Sequence, residues 1–144
     1  MAISIDVEEW FQVENLKSAI PRDTWEEYPL RVGENTRLIL DIFDETGTKG
    51  TFFCLGWIAE RQPDLIAEIA SRGHEVASHG YGHELLYDIG PERFREDLRR
   101  AQQLLEDASG QKVVGYRAPS FSITDWALEI LGEEGYRYDS SFFP

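Results

Sequence analysis

Apolar residues come in two rhythms along this chain, short unbroken runs and longer stretches where they recur every third or fourth position. Residues 2–7, with Ala2, Ile3, Ile5 and Val7, read as a buried strand. An irregular aromatic stretch follows, with Trp10, Phe11, Trp25 and Tyr28. Asn35 or Thr36 is placed to cap a helix carrying Leu38, Ile39, Ile42 and Phe43, and Gly47 to end it. Residues 50–55 predict the second strand. Pro63 suits the first turn of a helix with Leu65, Ile66 and Ile69 on one face, stopped by Gly73. Residues 74–78 predict the third strand. Pro91 opens the clearest helix, with Phe94, Leu98, Ala101, Leu104, Leu105 and Ala108 on one face and Gly110 after it. Lys112 to Tyr116 read as a fourth strand, Thr124 as the cap of a helix bearing Trp126, Leu128 and Leu131, and Tyr136 to Asp139 as a fifth strand.

Strands alternating with helices predict an α/β fold, a parallel sheet joined by right-handed crossovers. No repeat, low-complexity tract or linker divides the 144 residues, which suffice for one domain with a core. The reactive residues sort onto one side of this skeleton. Asp6 and Glu8 leave the first strand, His79 and His83 the third, Arg117 the fourth and Asp139 the fifth. All stand at C-terminal strand ends, the face where α/β sheets and (β/α) barrels bind ligands.

His79 and His83 can converge on one divalent cation, each presenting a neutral imidazole nitrogen at about 2.0–2.1 Å. An H-x-x-x-H spacing alone is weak, since such histidines also cap loops; the company of acids at neighbouring strand ends favours a metal site. The third ligand is then a carboxylate from the acidic end of the first strand, with a further position left to water. Nitrogen and oxygen ligands predict zinc, and the same set accommodates manganese, cobalt, nickel or iron.

A formal net charge of −13 disfavours nucleic acid and anionic membrane surfaces as partners. No run approaches a membrane span and no signal-peptide pattern opens the chain, so it reads as cytoplasmic. The one cysteine, Cys54, lies in an apolar run and reads as a buried strand residue. Ser120 and Ser140 lack a G-x-S-x-G elbow, which argues against a serine hydrolase.

Four motifs together resemble the polysaccharide deacetylases, the NodB-type domain of carbohydrate esterase family four. They are Asp6-Val7-Glu8-Glu9, Ser78-His79 with His83, Arg117-Ala118-Pro119-Ser120-Phe121, and Tyr138-Asp139-Ser140-Ser141. The resemblance spans nearly the whole chain. It implies a distorted (β/α) barrel, here incomplete at about five strands, with residues 1–144 as the N-terminal portion of the catalytic domain. It also implies a metal-dependent hydrolase that removes acetyl groups from an N-acetylated oligo- or polysaccharide.

The commoner first motif in this family has two adjacent aspartates, base then ligand. Here Val7 stands where the ligand would be, as in an Asp-Val-Glu variant associated with bacterial exopolysaccharide loci. Alternation along an extended strand puts Asp6 and Glu8 on one face. Glu8 is therefore the expected ligand beside His79 and His83, with Glu9 the substitute. By resemblance, Asp6 is the general base, Arg117 orients it, and Tyr81, Pro119, Phe121 and Asp139 line the substrate site; Asp139 is equally a loop-positioning residue. The family's late histidine, its general acid, is expected beyond Pro144, and these residues by themselves are expected to deacetylate poorly. His74 reads as structural. The alternatives are an allantoinase-like hydrolase of a small amide and a non-catalytic glycan-binding remnant.

Overall fold

The computed structural model describes residues 3–142. Five strands form one sheet: β1 (Ser4–Val7), β2 (Thr51–Cys54), β3 (Glu75–Ser78), β4 (Gly115–Tyr116) and β5 (Tyr138–Asp139). Their spatial order is their chain order, and every neighbouring pair is parallel. A (β/α) barrel winds in this way, whereas a doubly wound sheet reverses its strand order partway. The helices are α1 (Val32–Thr46), α2 (Gly56–Arg61), α3 (Pro63–Ser71), α4 (Leu86–Ser109) and α5 (Asp125–Glu133). No helix among the described residues is long and apolar enough to cross a membrane.

The strand register explains the division of labour between the two faces of the sheet. Asp6 lies beside Phe53 and Phe53 beside Ala77, while Val7 lies beside Cys54 and Cys54 beside Ser78. Alternation then gives one face to Val7, Phe52, Cys54 and Val76, which join the main core. The other face carries Ser4, Asp6, Thr51, Phe53, Glu75 and Ala77, and its polar members bond one another, as Thr51 does Glu75 at 2.7 Å. Cys54 is fully buried, and burial pushes its thiol well above the ordinary cysteine value, which leaves it inert.

Several elements differ from their expected limits, each for a non-local reason. Helix α1 begins at Val32, ahead of Asn35, because Glu9 accepts the backbone N–H groups of Arg31 (2.6 Å) and Val32 (2.7 Å). The buried stripe consequently runs through Val32, Thr36, Leu40 and Phe43, and Leu38 and Ile42 face outward at 59% and 56% exposure. Helix α2 has no counterpart in the sequence reading. It is six residues long, and Gly56, Trp57, Ile58 and Ala59 are all buried, so no amphipathic period shows. In α4, Gly90 breaks the helical backbone, and Pro91 opens the regular part as expected. In α5, Ala127, Ile130 and Leu131 are buried and Leu128 is exposed.

Strand β4 is shorter than Lys112–Tyr116 because α4 side chains take over the backbone before it. Val113 N–H donates to Glu106 and Val113 C=O accepts from Gln102, which removes both groups from a ladder. Strand β5 begins at Tyr138, since Tyr136 N–H is still bonded to Leu131 C=O at the end of α5. The aromatic stretch after β1 folds as three short 3₁₀ turns, Trp10–Gln12, Glu14–Leu16 and Arg22–Glu27. Phe11 and Trp25 both pack edge-on against Trp57 of α2, at 6.0 and 5.6 Å between centroids.

Candidate active site

Strands β1 and β3 are separated only by β2, so their C-terminal ends open onto the same place. From β1 comes Glu8; from the loop after β3 come His79 and His83. Glu8 Oε2 lies 2.9 Å from His83 Nε2 and 3.7 Å from His79 Nε2. The donor atoms of the three residues all fall within 4.8 Å of one another, and among the described residues this is the group with such geometry. Asp6 and Glu9 stand outside it.

The protonation of this group suits a cation. His79 Nδ1 is 2.7 Å from Arg117 C=O, a contact in which the ring N–H donates to the carbonyl. The tautomer this requires leaves the lone pair on Nε2, facing Glu8. Burial pushes the His79 imidazole below the ordinary histidine value, against the pull of Asp6 and Glu8. Burial raises the Glu8 carboxyl, but the His83 and His79 imidazoles outweigh it and hold it below the ordinary carboxylate value. Glu8 Oε2 and His83 Nδ1 are buried without a hydrogen bond. His83 Nδ1 lies on the far side of its ring from Glu8, whereas the Nε2 atoms of both histidines face Glu8 Oε2. A buried carboxylate oxygen beside two imidazole nitrogens fits a divalent ion held by two histidines and a carboxylate.

The loop between the histidines is tightly specified. Gly80 and His83 both adopt positive φ, at 75° and 53°. A Cβ on Gly80 would stand 2.8 Å from Asp97 Oδ2, and one on Gly82 would collide with the Arg22 guanidinium. Gly56 and Trp57, the first residues of α2, donate their N–H groups to the carbonyls of Gly80 (2.8 Å) and Tyr81 (3.0 Å). Asp97 of α4 accepts the N–H groups of Tyr81 (2.8 Å) and Gly82 (3.3 Å).

Asp6 is bound by an arginine as expected. Arg117 Nη1 donates to Asp6 Oδ1 at 2.7 Å, and Nη2 donates to Ser4 and Ser140 hydroxyls at 2.9 and 2.8 Å. The guanidinium lies over the Phe53 ring at 4.1 Å. Nε donates to Ser140 C=O at 3.2 Å, so each guanidinium nitrogen is engaged, and the position of Arg117 sets that of Asp6. The other non-glycine residues with positive φ, Ser120 and Phe121, also lie in the loop after β4. Backbone strain among the described residues therefore gathers around this site.

The expected substrate residues divide. Tyr81 is buried at 5% exposure, its hydroxyl donates to Glu60 (2.7 Å), and Arg100 stacks on its ring at 3.7 Å. It anchors the loop to α2 and α4, a role that replaces the expected pocket wall. Pro119 is buried, and Phe121 is half-buried with the Arg117 guanidinium 5.5 Å from its ring. Asp139 accepts from Ser141 N–H (2.9 Å) and Ser141 hydroxyl (2.6 Å), and that hydroxyl accepts Ala118 N–H (2.8 Å). Asp139 thus ties the loops after β4 and β5 together, the loop-positioning alternative of its two expected roles. His74 sits before β3 against Phe43 and Phe52, at 5.6 and 5.1 Å, and is structural as expected.

Three residues in this region have a place that the sequence reading does not give them. Glu9 was the substitute ligand; it is the cap of α1 instead. Asp97 interrupts the stripe Phe94–Leu98–Ala101, and a lone carboxylate at a core position was the available signal. Trp10, 43% exposed, lines a cavity of about 220 Å³ together with Asp6 and Glu8.

Residues 23–138 match the polysaccharide deacetylase family. The chain belongs to that family. The homologues named deacetylases are hydrolases of carbon–nitrogen bonds other than peptide bonds, and some other homologues are pseudoenzymes. The matched residues include His79, His83 and Arg117 and begin after Asp6 and Glu8, so the two carboxylates rest on geometry. A peptidoglycan deacetylase-like protein of Gibberella zeae is 33% identical over 105 residues, 72% of this chain and 31% of its own length. A peptidoglycan deacetylase of Helicobacter pylori is 29% identical over 72% of this chain and 35% of its own. A structure from Mycobacterium smegmatis, assigned as a polysaccharide deacetylase, superposes with a TM-score of 0.80 at 33% identity. It covers 97% of this chain, which covers 50% of it. The chain thus spans about a third to a half of the length of these relatives.

Proposed function

We propose that this chain carries the metal centre and general base of a polysaccharide N-deacetylase, acting on acetylated amino-sugar polymers in bacterial exopolysaccharide metabolism. The observation that carries this reading is the convergence of Glu8 Oε2, His79 Nε2 and His83 Nε2 beside the Arg117–Asp6 pair. Glu8, His79 and His83 are the residues to hold a divalent ion, zinc by ligand type. Such an ion supplies Lewis acidity to the acetyl carbonyl and makes water acidic enough to react near neutral pH.

The chain's own residues then do the following. Asp6, outside the ligand group, takes the proton from the attacking water. Arg117 keeps Asp6 aimed through its hydrogen bond, and is itself fixed by Ser4, Ser140 and the Phe53 ring. Trp10, beside Asp6 and Glu8, offers an aromatic surface to a sugar ring. The Phe121 ring lies 5.5 Å from the same guanidinium.

The test is acetate release from N-acetylglucosamine oligomers by the full-length protein, with allantoin assayed in parallel. Acetate release that falls by roughly 10²–10⁴ in Asp6→Asn, at an unchanged metal load, is the expected result. Hydrolysis of allantoin without release of acetate would contradict it.

A further inference from the structure

Asp97 lies on the buried stripe of α4, between Phe94 and Ala101, and is only 8% exposed. A carboxylate buried so deeply requires donors to replace water. Both of its hydrogen bonds go to the loop between the candidate metal ligands, Oδ2 to Tyr81 N–H and Oδ1 to Gly82 N–H. The two carbonyls of the same stretch, those of Gly80 and Tyr81, are held by the first amides of α2. Four consecutive backbone polar groups between His79 and His83 are thus held by two helices.

The grip opposes strain. His83 is a non-glycine residue at φ 53°, a conformation that costs free energy unless its surroundings impose it. Asp97 also fits this place closely, since its Oδ2 occupies the space that a Cβ on Gly80 would need, 2.8 Å away. A longer acid would push against the loop. A neutral amide would turn an N–H group toward one of two N–H donors. The site therefore calls for a short carboxylate.

We infer that Asp97 is a positioning residue of the metal centre: by seating the backbone between His79 and His83, it sets the separation and aim of their Nε2 atoms. The inference rests on the reading of Glu8, His79 and His83 as metal ligands. Groups that orient metal ligands change metal affinity by about 10–100-fold when removed.

The test uses Co²⁺ as probe, with affinity read by calorimetry and ligand geometry by the visible absorption of the bound ion. Wild type is compared with Asp97→Asn, which preserves volume, and with Leu105→Ala, a core truncation on the same helix two turns away. Hydrogen exchange at the Tyr81 and Gly82 amides reports the loop directly. The expected result is a Co²⁺ affinity about 10–100-fold weaker in Asp97→Asn, with an altered absorption band and faster exchange at those two amides. Leu105→Ala should bind Co²⁺ as wild type does. Wild-type affinity in Asp97→Asn overturns the inference, as does an equal loss in Leu105→Ala, which would make the effect one of general stability. A wild type that takes up no Co²⁺ is a different failure: it removes the metal reading itself, and the positioning role with it.

Discussion

Asp6 and Glu8 are two residues apart on one strand face, yet their surroundings give them different work. Asp6 is paired with Arg117, and Glu8 with two imidazoles. Glu8→Gln should therefore weaken metal binding, while Asp6→Asn should leave it nearly intact; calorimetric titration of both variants with Zn²⁺ separates the roles. Equal loss in the two would make Asp6 a ligand. The histidines make a second expectation at this scale. Burial holds His79 and His74 below the ordinary histidine value of about 6.5. The unfolded chain binds protons there that the folded chain resists, so their contribution to stability is present above about pH 6.5 and is lost as pH falls below it. Urea midpoints of metal-free protein should drop between pH 7.5 and 5.5, and an unchanged midpoint would mean that the folded state does not keep these rings neutral. Val7 at the usual ligand position, and the two-residue alternation around it, made Glu8 legible from sequence. The work of Tyr81 was not legible, because its partner Glu60 lies 21 residues earlier on another element.

At the scale of elements, what a local pattern determines was readable and what a distant side chain determines was not. Strands β1 to β3 are short apolar runs buried on at least one face, and their positions follow directly. Helix α1 misled because its cap is Glu9, 22 and 23 residues before the amides it accepts. With the start misplaced, the apolar face was read through Leu38 and Ile42 when Val32 and Thr36 set the phase. The same contact closes the aromatic excursion between β1 and α1, since Gln12 in turn accepts Glu9 N–H at 2.7 Å. Glu9→Ala leaves the buried Val32 N–H unpaired and should lower stability by about 1–3 kcal/mol in urea denaturation. Zinc affinity, measured below the transition, should stay near wild type. A large loss of zinc with little loss of stability would return Glu9 to the ligand set.

At the scale of the whole molecule, a sheet whose strands follow chain order brings residues from four separate strand ends to one face. That gathering was legible, because alternating strands and helices imply parallel strands, and parallel strands share a C-terminal side. The loop clamp from α2 and Asp97 was not, for it depends on which helices pack against the loop. A site assembled from Glu8 and two histidines should also couple to folding. Any ion that binds only the folded chain stabilises it, by about 2.7 kcal/mol at a hundredfold excess over the dissociation constant. The most direct measurement is equilibrium dialysis of this chain against Zn²⁺, with metal and protein quantified together, for wild type and for the His79→Ala, His83→Ala double variant. One zinc per wild-type chain, absent from the double variant, is the expected result. A folded wild type that stays metal-free, or a double variant that binds as wild type does, would contradict the metal centre.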